Sequence, residues 1–338
     1  MVLLLLTLLG SAAPARSLFA EEDPEDPSEQ FTDPRKIAEK VRSYYASVHS
    51  LKVHSKTTYR SDELFQGKEI NYSEENSKAT IDFVNQRFHI SQELVDSKTG
   101  RLKLAPEKLL DSQRLLAFSA SAPPGRSIKV VSFSDNREEA WGYVLTSLHQ
   151  LCPVGIIPSN GYESFVSDFL KTQEFTMDDS PDIHLPEVGI QSQNDQIKFS
   201  LVARTDLDFM PVKIVITRIE VHPNARDLKR VEYSAEAPRE LPSGHVIPQK
   251  WTVAQRFAFV PRPYFDKSPD EIMHDIDGIV VTSLISTTTV QEAEFNMELQ
   301  DSDFLLSVPI PVGTPCYKDR NYQVKYMWTV NGPILAPD

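Results

Sequence analysis

The chain has 338 residues, enough for one large domain or two moderate ones with a sizeable core. Its 48 Asp and Glu outweigh 35 Lys and Arg, a formal net charge of -13, so no positive field is present to displace counterions from nucleic acid or to hold an anionic leaflet. Two cysteines, Cys152 and Cys316, stand too far apart for a CxxC redox pair or a cysteine zinc knuckle.

Residues 2–9 are a short apolar run followed by small residues, with Ala13-x-Ala15 as a peptidase site, which predicts a signal peptide over 1–20. The run falls well short of the roughly 20 residues a membrane span needs. Export places the cysteines in an oxidising compartment. There they either pair, closing a loop of roughly 160 residues and adding on the order of 5 kcal/mol through the unfolded state, or remain as two buried thiols. Residues 21–33 are acidic and proline-bearing, a flexible linker with too little apolar surface to bury.

Asp33-Pro34 matches an N-cap with Pro at the first helical position, and Ile37, Val41, Tyr44, Tyr45 and Val48 form an apolar stripe, predicting an amphipathic helix over about 34–47. Residues 51–59 alternate and predict a strand. A charged, irregular stretch covers 62–75, and strand character returns at 80–90 with Ile81, Phe83, Phe88 and Ile90 facing inward. A turn at 97–100 precedes short strands at 115–118 and 128–133, which A-P-P-G at 122–125 separates. Trp141, Val144, Leu145 and Leu148 predict a second helix over 138–151, stopped by Pro153 and Gly155. A third, over 161–171, carries Tyr162, Phe165, Val166, Phe169 and Leu170. Residues 175–190 read as a mobile acidic connection.

The clearest unit spans 197–221, where two alternating limbs flank R-T-D-L-D-F-M-P, with Pro211 at the first position of its strand because it cannot donate a ladder bond. Beyond it come a short strand at 228–233, a loop at 236–242, strands at 245–248 and 251–260, and a proline-rich break at 261–271. A β-branched run at 278–290, an alternating stretch at 293–299, a proline-rich closure at 307–317 and a last strand near 322–330 complete the chain. Ten or more strands against two or three helices predict an α+β, mainly antiparallel β protein. Its expected architecture is one domain over 34–330, a large, strongly curved, half-open barrel-like sheet with the helices on its concave side.

The eight histidines show no HExxH and no pairing at helical spacing, and the acidic pairs Asp178-Asp179, Asp206 with Asp208, and Asp275 with Asp277 lack the register of a calcium loop. G-x-S-x-G, Walker and G-x-G-x-x-G motifs are missing. Asn71-Tyr72-Ser73 fits a glycosylation acceptor. No catalytic, cofactor-binding or metal-ligating residue is therefore assigned, and no enzyme is expected. The helical aromatics instead face the sheet, either as plain core or as the wall of a hydrophobic cavity for an acyl chain. The cavity candidates are Tyr44, Tyr45, Val53, Phe83, Trp141, Phe165, Phe169, Phe199, Leu201, Ile214 and Ile216.

Several stretches resemble the LolA-like group of outer-membrane lipoprotein-sorting or carrier proteins. They are I-A-E-K-V-R-S-Y-Y-A-S-V-H-S-L-K-V-H-S-K-T at 37–57, D-F-M-P-V-K-I at 208–214, the Gly-led strands at 244–248 and 276–281, and D-F-L-L-S-V-P-I-P-V-G-T-P at 303–315. The resemblance implies a half-open antiparallel barrel lidded by helices and located in the periplasm or envelope of a diderm bacterium. It also implies a lipid or lipoprotein acyl chain in the cavity and a membrane-bound donor or acceptor protein as partner; the missing motifs and the acidic charge lead to no expected cofactor and no nucleic acid. This chain is longer than the best-known carriers and so holds extra strands or loops. Two alternatives stay open: an envelope structural or protein-binding factor, and an exported hydrolase using carboxylates.

Overall fold

Two meanders of antiparallel strands meet side by side. The first comprises β1 (Ser50–Ser61), β2 (Tyr72–Asp82), β3 (Arg87–Asp96), β4 (Leu102–Leu110), β5 (Leu115–Ser121) and β6 (Ile128–Ser134). The second comprises β7 (Thr176–Met177), β8 (Glu187–Gln193), β9 (Ile197–Arg204), β10 (Met210–Val221), β11 (Ala225–Glu240), β12 (Val246–Pro261) and β13 (Val281–Phe295). Pairing of β1 with β13 fuses them, and β14 (Pro315–Lys318), β15 (Tyr326–Thr329) and β16 (Gly332–Leu335) extend the sheet beyond β6. The result is one curved, unclosed sheet of 16 strands among the described residues, with β14 and β6 its one parallel pair. The computed structural model describes residues 32–61, 72–111, 113–121, 128–138, 141, 152, 154–156, 166–178, 180, 183–194, 196–222, 225–273, 279–319 and 325–336.

Side chains alternate across each strand, so one register decides both faces. On the inner face Leu51 and Val53 of β1, Ile81 of β2, Phe88 and Ile90 of β3, Phe199 and Leu201 of β9, Ile214 of β10 and Trp251 and Val253 of β12 form the main core. Helix α1 (Pro34–Ala46) lies on that face and buries Ile37, Val41, Tyr44 and Tyr45 in the same core, joined by α2 (Val166–Thr172) through Phe169 and Leu170. The outer face is covered twice. Leu109, Leu116, Phe118, Val131 and Phe133 lie beneath the segment carrying Phe304, Leu306, Val308 and Ile310. Leu228, Ala258 and Val260 lie beneath Ile272 and Met273 of α3 (Pro269–Met273).

The structure bears out the mainly antiparallel, unclosed sheet with its helices, the first helix and the 197–221 hairpin. It also corrects several readings. The stretch 80–90 is two strands joined by a turn at 83–86, since β2 begins at Tyr72 inside the region read as irregular. β4 is a strand despite Pro106, and the acidic connection at 175–190 holds β7 and the start of β8. Strand β11 continues through the expected loop to Glu240, and 278–299 contains a single long strand, β13. Pro211 is the second residue of β10 and sits at a register shift, where its missing N–H costs no ladder bond. α3 covers the outer face rather than the concave one, because Ala258 and Val260 of β12, with Leu228 of β11, form an apolar patch there that Ile272 and Met273 bury.

Cys152 belongs to the inner core and Cys316 to the outer cluster under the 304–310 segment. Both are buried free thiols on opposite faces of the sheet, so the bridge is not made. Residues 1–31, Asn71, the A-P-P-G turn, most of the predicted 138–151 helix and residues 161–165 with Tyr162 and Phe165 lie outside the described residues.

Candidate binding cleft

Helix α1 sets one wall of the cleft. The Asp33 carboxylate accepts the Arg35 N–H at 2.9 Å and Pro34 occupies the first turn, which fixes where the helix starts. At its other end the Tyr44 hydroxyl donates to the Val246 carbonyl at 2.8 Å, anchoring the helix to the start of β12. His245 packs between the Tyr44 and Phe295 rings and lies 3.2 Å from the Ser47 hydroxyl. Burial lowers the His245 pKa despite the nearby Asp208 carboxylate, so the ring is held neutral.

Between α1 and α2 a cleft of about 640 Å³ opens. Its floor is apolar, from Tyr45, Val48, Phe83, Val154 and Ile156, and its rim is polar, from Glu39, Arg42 and Ser43 of α1 and Ser167 and Lys171 of α2. Gly155 sets where the Tyr45 ring lies. At its φ of +80°, a Cβ would stand 3.0 Å from the Tyr45 ring, so only glycine lets that ring lie against the backbone.

Of the candidates read from sequence, Tyr45 and Phe83 line this cleft. Tyr44, Val53, Phe169, Phe199, Leu201, Ile214 and Ile216 are buried in the packed inner core. Phe169 stacks on Phe199 with centroids 5.2 Å apart, and Trp141 stacks on Phe88 at 6.1 Å and meets Phe83 edge-on. Phe165 lies outside the described residues. Sequence reasoning missed Arg42, Val154, Ile156 and Lys171. Arg42 follows Val41 of the apolar stripe and precedes Tyr45 by three, so its position at the border of the buried face is the signal that could have found it.

Further along the inner face the floor turns polar. Ser55, Thr57, Glu75, Ser77, Gln255, Ser286 and Thr288 are all buried. Glu75 accepts from the Tyr59 hydroxyl at 2.8 Å, Ser77 at 2.9 Å and Gln92 at 2.7 Å, and the Thr57 and Thr288 hydroxyls meet at 2.9 Å.

The outer face holds a polar groove of about 530 Å³, reached by His54, Lys78, Glu93, Glu107 and Ser307. Here one oxygen of Glu107 lies 2.6 Å from His89 Nε2 and accepts from the Ser307 hydroxyl at 2.9 Å. A nucleophile triad needs the imidazole between hydroxyl and carboxylate. The carboxylate occupies the middle instead, so it pins the 304–310 segment and His89 does not reach the Ser307 hydroxyl. Glu220, His222 and Asp227 bring ligand atoms within 4.8 Å of one another at the β10–β11 turn. Lys229 at 3.3 Å and Arg218 at 3.5 Å already meet the Glu220 charge, so the trio does not call for a cation.

No protein-family model matches the chain, and no curated protein does. Among solved structures it is similar to a DUF1329 family protein from Desulfovibrio piger, with 7% identity over 81% of this chain and 96% of that one and a TM-score of 0.39. It is also similar to an outer membrane lipoprotein-sorting protein domain from Vibrio parahaemolyticus, with 7% identity over 80% of this chain and 95% of that one and a TM-score of 0.38. No residue role passes from either to this chain.

Proposed function

We propose that this chain is a noncatalytic binding or carrier protein of the periplasm or cell envelope of a diderm bacterium, holding a lipid acyl chain or lipoprotein anchor in the cleft between α1 and α2. The observation that carries this reading is the pairing of an apolar floor with a charged rim in a cleft of about 640 Å³. That size lies in the range of small-molecule sites. Burying about ten methylenes there contributes on the order of 8 kcal/mol before the costs of association and ordering. Release follows from any contact that moves α1 or α2 and returns that surface to water.

The test is native mass spectrometry of protein purified from its own envelope fraction, combined with titration of a fluorescent fatty acid. A lipid or lipopeptide adduct and saturable uptake at one site are expected, and uptake should be lost in Val48→Trp, which fills the floor. Absence of both adduct and uptake overturns the reading. A second reading, a protein-binding envelope factor, draws on the β16 edge of the sheet, unpaired among the described residues, where Met327 of β15, Val330 and Ile334 and Leu335 of β16 are exposed.

A further inference from the structure

We infer that the cleft selects an anionic amphiphile, a single acyl chain lying on Tyr45, Val48, Phe83 and Ile156 whose carboxylate or phosphate group is met by Arg42. The inference rests on the acyl-chain reading above and adds the chemistry of the head. Arg42 borders the cleft from α1, and among the described residues its Nε is buried without a hydrogen-bond acceptor. A guanidinium N–H removed from water and left unpaired costs free energy, so a turn of the Arg42 side chain that brings this group to a ligand oxygen in the cleft is favoured. The rim's carboxylate, Glu39, stands one turn earlier on the same helix and leaves the Arg42 Nε unmet. Lys171 adds a second positive charge from α2 across the opening, at 3.6 Å from Asp168.

These charges discriminate among heads. A cationic head at the Arg42 guanidinium would be repelled by it, whereas the Lys171 charge is already met by Asp168. A neutral hydroxyl could accept one hydrogen bond without meeting the charge. A carboxylate or phosphate presents paired oxygens to the planar guanidinium fork and forms charge-assisted hydrogen bonds, with the chain running down onto the floor. The aliphatic stem of Arg42 can pack against the same chain, so one residue serves both ends of an amphiphile.

The experiment compares palmitate, hexadecyl phosphate, hexadecanol and inorganic phosphate, each by displacement of a fluorescent probe below its aggregation concentration, on the full chain and on Arg42→Gln and Arg42→Met. Palmitate and hexadecyl phosphate are expected to bind at least about tenfold more tightly than hexadecanol, and inorganic phosphate hardly at all. In both variants the preference should vanish, the two anions binding no more tightly than hexadecanol does to the same variant. Circular dichroism and thermal unfolding confirm that the variants fold. Equal binding of the three chains to the unmodified protein overturns the headgroup inference while the carrier reading stands. The same holds if either folded variant weakens all three alike, or if inorganic phosphate binds as tightly as hexadecyl phosphate. Failure of every chain-bearing ligand to bind overturns both.

Discussion

Glu107 and Ser307 are 200 residues apart in the chain, yet the Ser307 N–H at 2.7 Å and its hydroxyl at 2.9 Å both donate to one oxygen of the Glu107 carboxylate. This contact holds the segment that covers the outer face. It works with Lys52 and Asp303 at 2.8 Å, Arg87 and Asp301 at 2.8 Å, and the Arg87 guanidinium 4.3 Å over the Phe304 ring.

Burial by itself would raise the Glu107 pKa, but the hydrogen bonds from His89 and from Ser307 outweigh it and hold the carboxyl below its usual range. A lowered folded pKa means that the stabilisation is present above the ordinary glutamate pKa and is lost as pH falls through the lowered value. Glu107→Gln should cost about 1–3 kcal/mol at pH 7. Urea unfolding of variant and unmodified protein should converge as the pH is taken down through the carboxylate range.

His245 behaves with the opposite charge and the same direction in pH. Its folded pKa is lowered by burial, so the unfolded chain takes up the proton first and stability falls as pH drops below about 6.5. His245→Gln removes that loss. Thermal unfolding at pH 7.5 and pH 5.5 is expected to show a smaller fall in Tm for the variant than for the unmodified chain.

Thr57 and Thr288 are fully buried on adjacent strands with hydroxyls 2.9 Å apart. Thr57→Val leaves the Thr288 hydroxyl without that partner and should cost about 1–3 kcal/mol, whereas replacing both by Val should cost much less than the sum of the single changes. A double-mutant cycle by chemical denaturation measures the difference.

Neither cysteine should react with a thiol reagent in the folded protein. Both are buried and unpaired, and burial pushes the Cys152 pKa far up and the Cys316 pKa to about 11, so little thiolate is present near neutrality. Two thiols per chain are expected to appear on adding denaturant without any reductant. A need for reductant would show that they are bridged.

Much of the architecture was legible because strands and helices leave different periods. The stripe Ile37, Val41, Tyr44 and Tyr45 marked α1, and the alternation through Phe199, Leu201, Ile214 and Ile216 marked β9 and β10. β4 escaped notice because Pro106 is a poor strand residue, tolerated here at a position that the local pattern does not reveal. β8 was hidden by the acidic, proline-bearing stretch before it. Among the cleft residues, Tyr45 and Phe83 could be singled out as inward aromatics, but Arg42 and Lys171 read as ordinary solvated helix charges.

From its residues alone the chain already carried the α+β class, the antiparallel bias and the inward face of the first helix, because each depends on neighbours within a few positions. Which apolar groups fill the core and which border open space was decided only when α1, α2 and the sheet came together. Tyr44 and Tyr45 are adjacent on one helix, yet one hydroxyl reaches the Val246 carbonyl while the other ring forms part of the cleft floor beside Gly155. Void space and an unmet guanidinium N–H arise from the packing of distant segments, and no local pattern of residues encodes them.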